Sequence, residues 1–240
     1  MSSIPEAIRA ILQQRPRSVV FFTGAGVSAD SGIPTFRGPE GLWRNHRAED
    51  LATPEAFRRN PFLVWEWYEW RRSLIREAEP NAAHEALARV PQAVVVTQNV
   101  DGLHARAGSE NIIELHGNIF RVKCTLEGRT FAREDAFPKL PPHCDCGALL
   151  RPDVVWFGEV LPDDEAVNAM SAIRAADLLI VIGTSGVVYP AAGFVAEFQG
   201  LSIEINPEVN VKRSACLYAI PERAAVATPP LIDALLEVRR

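Results

Sequence analysis

Hydrophobic residues in this chain fall into short unbroken runs, separated by longer stretches in which they recur every three or four positions. The runs SVVFF (18–22), AVVVT (93–97), DLLIVIG (177–183) and LSIEI (201–205) are rich in Val, Ile and Leu. Such runs suit strands buried on both faces of a parallel sheet. Between and beyond them, NAAHEALARV (81–90), DEAVNAMSAIRAA (164–176) and PAAGFVAEFQ (190–199) follow a helical period. At the start, Ile4, Ile8, Ile11 and Leu12 share one side of a further amphipathic helix. Strands alternating with helices predict right-handed crossovers and an α/β fold, a doubly wound parallel-sheet, Rossmann-like domain.

Two stretches break the rhythm. Residues 38–79 are helical and aromatic, and residues 121–150 are polar, with Pro138, Pro141 and Pro142. The expected organisation is a large domain from 1–37, 80–120 and 151–240, with a smaller module from the helical 38–79 and the loop-rich 121–150. With 240 residues, 48% hydrophobic and 23% charged, the chain has globular composition. A net charge of −5 argues against nucleic acid as the main partner. No apolar run reaches membrane-span length and the first residues lack a signal-peptide pattern, so a soluble cytoplasmic protein with no membrane partner is expected.

The candidate chemistry gathers at strand ends. The first strand runs into TGAGVSADSGIPTFRG (23–38), where Gly24, Gly26 and Ala29 fit G-x-G-x-x-G/A, a strand-to-helix turn that brings backbone N–H groups to a diphosphate. The usual acid about twenty residues on is missing, which leaves a ligand-free tight turn as the competing reading. The second strand ends in TQNVDGLH (97–104), with Gln98, Asn99 and Asp101 where open α/β sheets bind ligands, although an Asx-type helix cap explains them too. His116, in ELHGN (114–118), follows the apolar pair Ile112 and Ile113 and is expected at a strand end. His84 and His104 read as helix residues without comparable company. RPDVVWFGE (151–159), VIGTSGVVYP (181–190) and EINPE (204–208) end further runs in small or polar residues.

In order and spacing, GAGVSADSGIPTFRG, TQNVDGLH, the HGN at 116–118, RPDVVWFGE and GTSGVVYP resemble the motifs of the sirtuins, NAD-dependent protein lysine deacylases. The resemblance implies NAD as a consumed cosubstrate and acyl-lysine proteins or peptides as partners. It puts Gly24, Ala25 and Gly26 against the diphosphate, within a cofactor segment that includes Ser28, Thr35, Phe36 and Arg37. Gln98 and Asn99 would meet the nicotinamide ribose, and Asp101 the carboxamide. Gly183, Thr184 and Ser185 would hold the far phosphate and ribose, Asn206 the adenosine ribose, and Ala224 the adenine. His116 matches the general base, with Asn99 the second catalytic residue. Val155, Trp156, Phe157, Gly158 and Glu159, with Gly186 and Val187, would clamp the peptide as an added strand. The products would be free lysine, nicotinamide and O-acyl-ADP-ribose. An NAD glycohydrolase, an ADP-ribosyltransferase and a non-catalytic NAD-binding regulator are the alternatives, the last disfavoured by His116, Asn99 and Asp101 together.

Many sirtuins carry a zinc ribbon of two Cys-x₂-Cys pairs. Here the partner of Cys124 is Glu127, and Cys144 and Cys146 are one residue apart. Both knuckles are altered, which speaks against zinc, so no metal ligand is assigned. WEWYEWRR (65–72) matches the segment of the branch that removes acidic acyl groups, in which a Tyr-x-x-Arg pair faces the acyl pocket. That pair is Tyr68 and Arg71, one helical turn apart. Packed tryptophans with both arginines in solvent are the competing reading.

Overall fold

The computed structural model describes residues 4–35, 43–184, 191–209 and 216–239. Its strands are β1 (Val19–Thr23), β2 (Val94–Thr97), β3 (Ile112–Glu114), β4 (Gly117–Cys124), β5 (Thr130–Ala132), β6 (Leu150–Val154), β7 (Leu178–Ile182), β8 (Leu201–Ile205) and β9 (Tyr218–Ile220). Its helices are α1 (Glu6–Leu12), α2 (Ala48–Leu51), α3 (Pro54–Arg59), α4 (Pro61–Glu77), α5 (Ala82–Ala88), α6 (Leu103–Arg106), α7 (Asp163–Arg174), α8 (Ala191–Ala196) and α9 (Ala224–Arg239).

Six strands form a parallel sheet in the order β3-β2-β1-β7-β8-β9. Alternation along β1 sends Val19 and Phe21 into one core with α1, α5 and α9, and Val20 and Phe22 into another with α7 and α8. Burying each such side chain contributes about 1.5–3 kcal/mol, and both faces must be covered for the sheet to persist. Strand order reverses around β1, with β2 on one side and β7 on the other. The crevice at their carboxyl ends is where folds of this kind bind ligands.

The RPDVVWFGE run does not join this sheet. Its first half is β6, which pairs antiparallel with β4 in a second sheet of order β5-β4-β6. Gly117 makes the entry to β4 possible: φ is +77°, and a Cβ there would lie 2.1 Å from the Asp153 carbonyl oxygen. The small sheet packs on α4, whose start is fixed by Asn60, with Oδ1 accepting from Leu63 N, and by Pro61 in the first turn. Trp65 Nε1 donates to the Leu150 carbonyl at 2.8 Å, tying helix to sheet.

Candidate functional site

The turn after β1 is built on close backbone approach. A Cβ at Gly26 would stand 2.7 Å from Gly183 Cα, and one at Gly183, where φ is +61°, 2.4 Å from Val27 N. The amides of Gly24 and Gly26 are bonded to the carbonyls of Ile182 and Gly183, at 3.0 and 2.9 Å. The glycines therefore act through their missing side chains more than through free donors. The expected strand-to-helix turn is two 3₁₀ turns, Ala25–Val27 and Ala29–Ser31, ended by left-handed Gly32 before Ile33 and Pro34. A Cβ at Gly24 or Gly26 would push this turn off Gly183 and Thr184, and the turn so packed lines the cavity where the NAD diphosphate is expected.

A cavity of about 730 Å³ opens over this switch point. It gathers Gly24, Ala25, Gly26, Thr35, Gln98, Asn99, Gly183, Thr184, Asn206 and Ala224 from the expected cofactor set, together with His116. It also takes in Tyr68, Arg71, Val155, Trp156, Phe157, Gly158 and Glu159. Ser28 and Asp101 lie beside it around a small recess that Ala25, Arg71 and Asn99 share. Phe36, Arg37, Ser185, Gly186 and Val187 lie outside the described residues. Asp30, Glu208 and Arg223 line the cavity as well, unforeseen in the sequence, with Arg223 Nη1 donating to Asp30 Oδ1 at 2.9 Å. Asn206 is held by its own side chain, Nδ2 donating to the Thr184 carbonyl at 2.6 Å.

His116 Nδ1 lies 2.9 Å from the Gln98 carbonyl. A carbonyl only accepts, so Nδ1 carries the proton and Nε2 keeps its lone pair. Burial lowers the His116 pKa from its ordinary value, only partly offset by that carbonyl. The ring is thus a neutral base at neutral pH.

Reading His84 and His104 as isolated helix residues misses a buried network. Asn81 N donates to His84 Nδ1 at 3.2 Å in a capping box, which leaves the proton on Nε2, 3.3 Å from Ser28 Oγ. Ser28 Oγ donates to Asp101 Oδ2 at 2.8 Å and accepts from Asn99 Nδ2 at 3.0 Å. Next to it, His104 Nε2 lies 2.9 Å from Thr23 Oγ1, and the two imidazoles stack edge-on at 4.9 Å. Burial pushes His84 down to about 4 and His104 down to about 3, and it raises Asp101 above the usual carboxylate range. The network holds Asn99 and Asp101, both expected at the nicotinamide end. The Asn-x-x-His spacing of Asn81 and His84 was the one visible signal.

At the other end of the cavity α4 presents Tyr68 and Arg71, exposed to only 4% and 7%. Burial pushes the Tyr68 phenol up and the Arg71 guanidinium down, the latter opposed by Tyr68 and Asp101. Arg72 is not in solvent. It is fully buried, donating to Glu69 and to the carbonyls of Arg133 and Asp135, and so anchors the small module. The segment after β6 alternates: Trp156 turns inward and Phe157 outward, at 3% and 41% exposure. Its amides are committed, Val155 N to the His116 carbonyl, Phe157 N to the Ala52 carbonyl and Trp156 N to Glu159 Oε2.

Donor atoms of Cys124, Glu127, Cys144 and Cys146 lie within 4.8 Å of one another despite the altered knuckles. The Glu127 amide donates to Cys124 Sγ at 3.4 Å and is the main cause lowering that thiol's pKa. Three sulfurs and one carboxylate oxygen fit zinc in donor type and number, with Arg129 bonded to the same carboxylate.

The Sir2 family model matches residues 24–190. Curated relatives include the NAD-dependent protein deacylase of Pyrococcus furiosus, 52% identical over 92% of this chain and 93% of its own. That of Aquifex aeolicus is 50% identical, covering 92% and 96%. Among solved structures, a Sir2 homologue in complex with NAD superposes with a TM-score of 0.92 at 44% identity, over 100% of this chain and 96% of the other. A Sir2 bound to a p53 peptide and NAD⁺ superposes at 0.84 with 31% identity, over 96% and 98%. Family model, relatives and structures agree with the switch-point cavity and its glycine cradle: this chain belongs to the Sir2 family.

Proposed function

We infer that this chain is an NAD-dependent protein lysine deacylase that prefers acyl groups ending in a carboxylate, succinyl or malonyl, over acetyl. NAD, consumed as cosubstrate together with one water, would supply an electrophilic ribose carbon as nicotinamide departs, with O-acyl-ADP-ribose and free lysine as the other products. The acyl carbonyl oxygen is a weak nucleophile, so the protein's first task is positioning, which supplies roughly 7–11 kcal/mol when the geometry is right. Asn99, held by Ser28, and the wall of Val155 and Trp156 carry that task. His116, neutral with Nε2 open, then takes the proton of a ribose hydroxyl.

The observation that carries the acidic-acyl preference is Arg71, buried beside Tyr68 in the cavity wall. Arg71 lines the cavity with Tyr68 beside it and Asp101 near it, and a terminal carboxylate reaching it would form two charge-assisted hydrogen bonds that an acetyl group cannot. Each such bond is worth about 1.5–3 kcal/mol. Steady-state kcat/KM on succinyl and acetyl forms of one peptide tests the reading. Succinyl should be faster, and Arg71→Met should cut its rate roughly 10²- to 10⁴-fold while weak deacetylation persists. Equal wild-type rates, or a preference untouched by Arg71→Met, would remove the acidic-acyl assignment. Nicotinamide release that depends on acylated peptide separates the deacylase from an NAD glycohydrolase.

A further inference from the structure

Trp156 belongs to the segment expected to clamp the peptide, yet its indole faces the protein. Nε1 donates to Tyr68 Oη at 2.9 Å. Two neighbours hold the ring: Arg151 lies over it, Cζ 3.5 Å from the centroid, and Phe57 packs against it, tilted, at 5.2 Å. Arg151 is itself fixed by a fork onto Glu159, at 2.6 and 2.8 Å, and by the Val154 carbonyl at 2.9 Å. Glu159 Oε2 closes the loop by accepting from Trp156 N at 2.8 Å. Burial pushes the Glu159 carboxyl up, but the bonds from Arg151 and the Trp156 amide outweigh it and hold it ionised.

An indole N–H only donates, whereas a phenol has one proton to give and lone pairs to receive. With Trp156 on its oxygen, Tyr68 has to place its own proton elsewhere. Among the described residues no acceptor for that proton is found, and Tyr68 lines the cavity. We propose that Trp156 is a positioning residue for acyl recognition, turning Tyr68 into an obligatory donor aimed at the acyl carboxylate. Arg151 and Glu159 hold Trp156 in that role. This rests on the acidic-acyl reading above, and it adds a residue that touches the acyl carboxylate only through Tyr68.

The test is a double-mutant cycle on Tyr68→Phe and Trp156→Phe, measuring kcat/KM on succinyl and acetyl forms of one peptide. Trp156→Phe keeps an aromatic ring under Arg151 and deletes the N–H. It should lower kcat/KM about three- to tenfold more on succinyl than on acetyl. In the Tyr68→Phe background the same change should cost nothing further on succinyl, because the bond it removes is already gone. Equal losses on both acyl groups, or losses that multiply across the cycle, would mean that Trp156 is only packing and overturn the proposal. Should Trp156→Phe fail to fold, Arg151→Lys, which loses the bidentate fork, runs the same cycle and should couple to Tyr68 in the same sense. A wild type with no succinyl preference, unaffected by Arg71→Met, would overturn the parent reading and this proposal together. Additive losses in an enzyme that keeps its preference would overturn this proposal alone.

Discussion

The two ends of the cavity are built from opposite materials. At the NAD end the working parts are backbone and small side chains at the tips of β1 and β7, packed so tightly that a methyl at Gly26 would meet Gly183 at 2.7 Å. At the acyl end they are long polar side chains on α4, Tyr68 and Arg71, taken out of water and balanced by neighbours. The first end selects by shape and tolerates no added atoms. The second, on the acidic-acyl reading proposed above, selects by charge and should tolerate substitution, losing discrimination before it loses turnover.

The sharpest way to break this contrast is to add one side chain to the cradle. Gly26→Val should reduce NAD affinity on the order of 10³-fold or prevent folding, as read by calorimetry and circular dichroism, because the clash is with backbone. Near-normal binding would mean that the turn is soft and the contrast false. His116 stands between the two ends, and His116→Ala should cost about 10²–10⁴-fold in acyl transfer while NAD affinity holds. Because its pKa is lowered, the acid limb of the wild-type kcat/KM profile should lie below pH 6.5.

A smaller effect concerns the network beneath the NAD end. The unfolded chain protonates His84 near 6.5 and the folded protein only near 4, so between these values the unfolded state binds more protons. Stability from this group is complete above about pH 6.5 and is lost as pH falls toward 4, on the order of 3 kcal/mol. Urea midpoints at pH 7, 5.5 and 4 should show that loss together with a similar one from His104, and His84→Gln should remove about half of the total. The smallest effect belongs to the ribbon. Its strands are pinned to α4 by Trp65 and Arg72, so chelator treatment should shift the melting temperature by no more than about 4 °C. A collapse on chelation would make metal, not packing, what holds the module.

Much of this was legible in the amino-acid order. Buried parallel strands announce themselves as unbroken Val and Ile runs, and the motifs at their ends marked Gly24, Asn99, His116 and Asn206 before any coordinates. Elements whose local signal opposes their final state were not. α9 contains Pro229 and Pro230, which argue against a helix, yet Leu231, Ile232 and Leu235 are fully buried and packing overrides them. The three residues of β9 are too few to show a period. His84 read as a helix residue without company because its contact with Ser28, 56 positions away in the chain, exists only once the chain has folded. Trp156 could be assigned to a segment but not to a side of it, and the side decides what it does.

The committed amides after β6 bear on which peptides this cavity takes. Val155, Trp156 and Phe157 have each spent their N–H inside the protein, on His116, Glu159 and Ala52. Across these three residues the Val155 and Phe157 carbonyls are left to offer, since the Trp156 carbonyl already accepts from Glu159 N. A peptide laid beside it as an added strand must bring every hydrogen itself, from its own backbone. If the peptide pairs here as proposed, proline, which has none to bring, should be disfavoured at the pairing positions flanking the modified lysine, whatever acyl group the lysine carries, as kcat/KM across a peptide series would read. Selection along the peptide would follow the grammar of the main chain, independent of the charge read at the far end of the cavity.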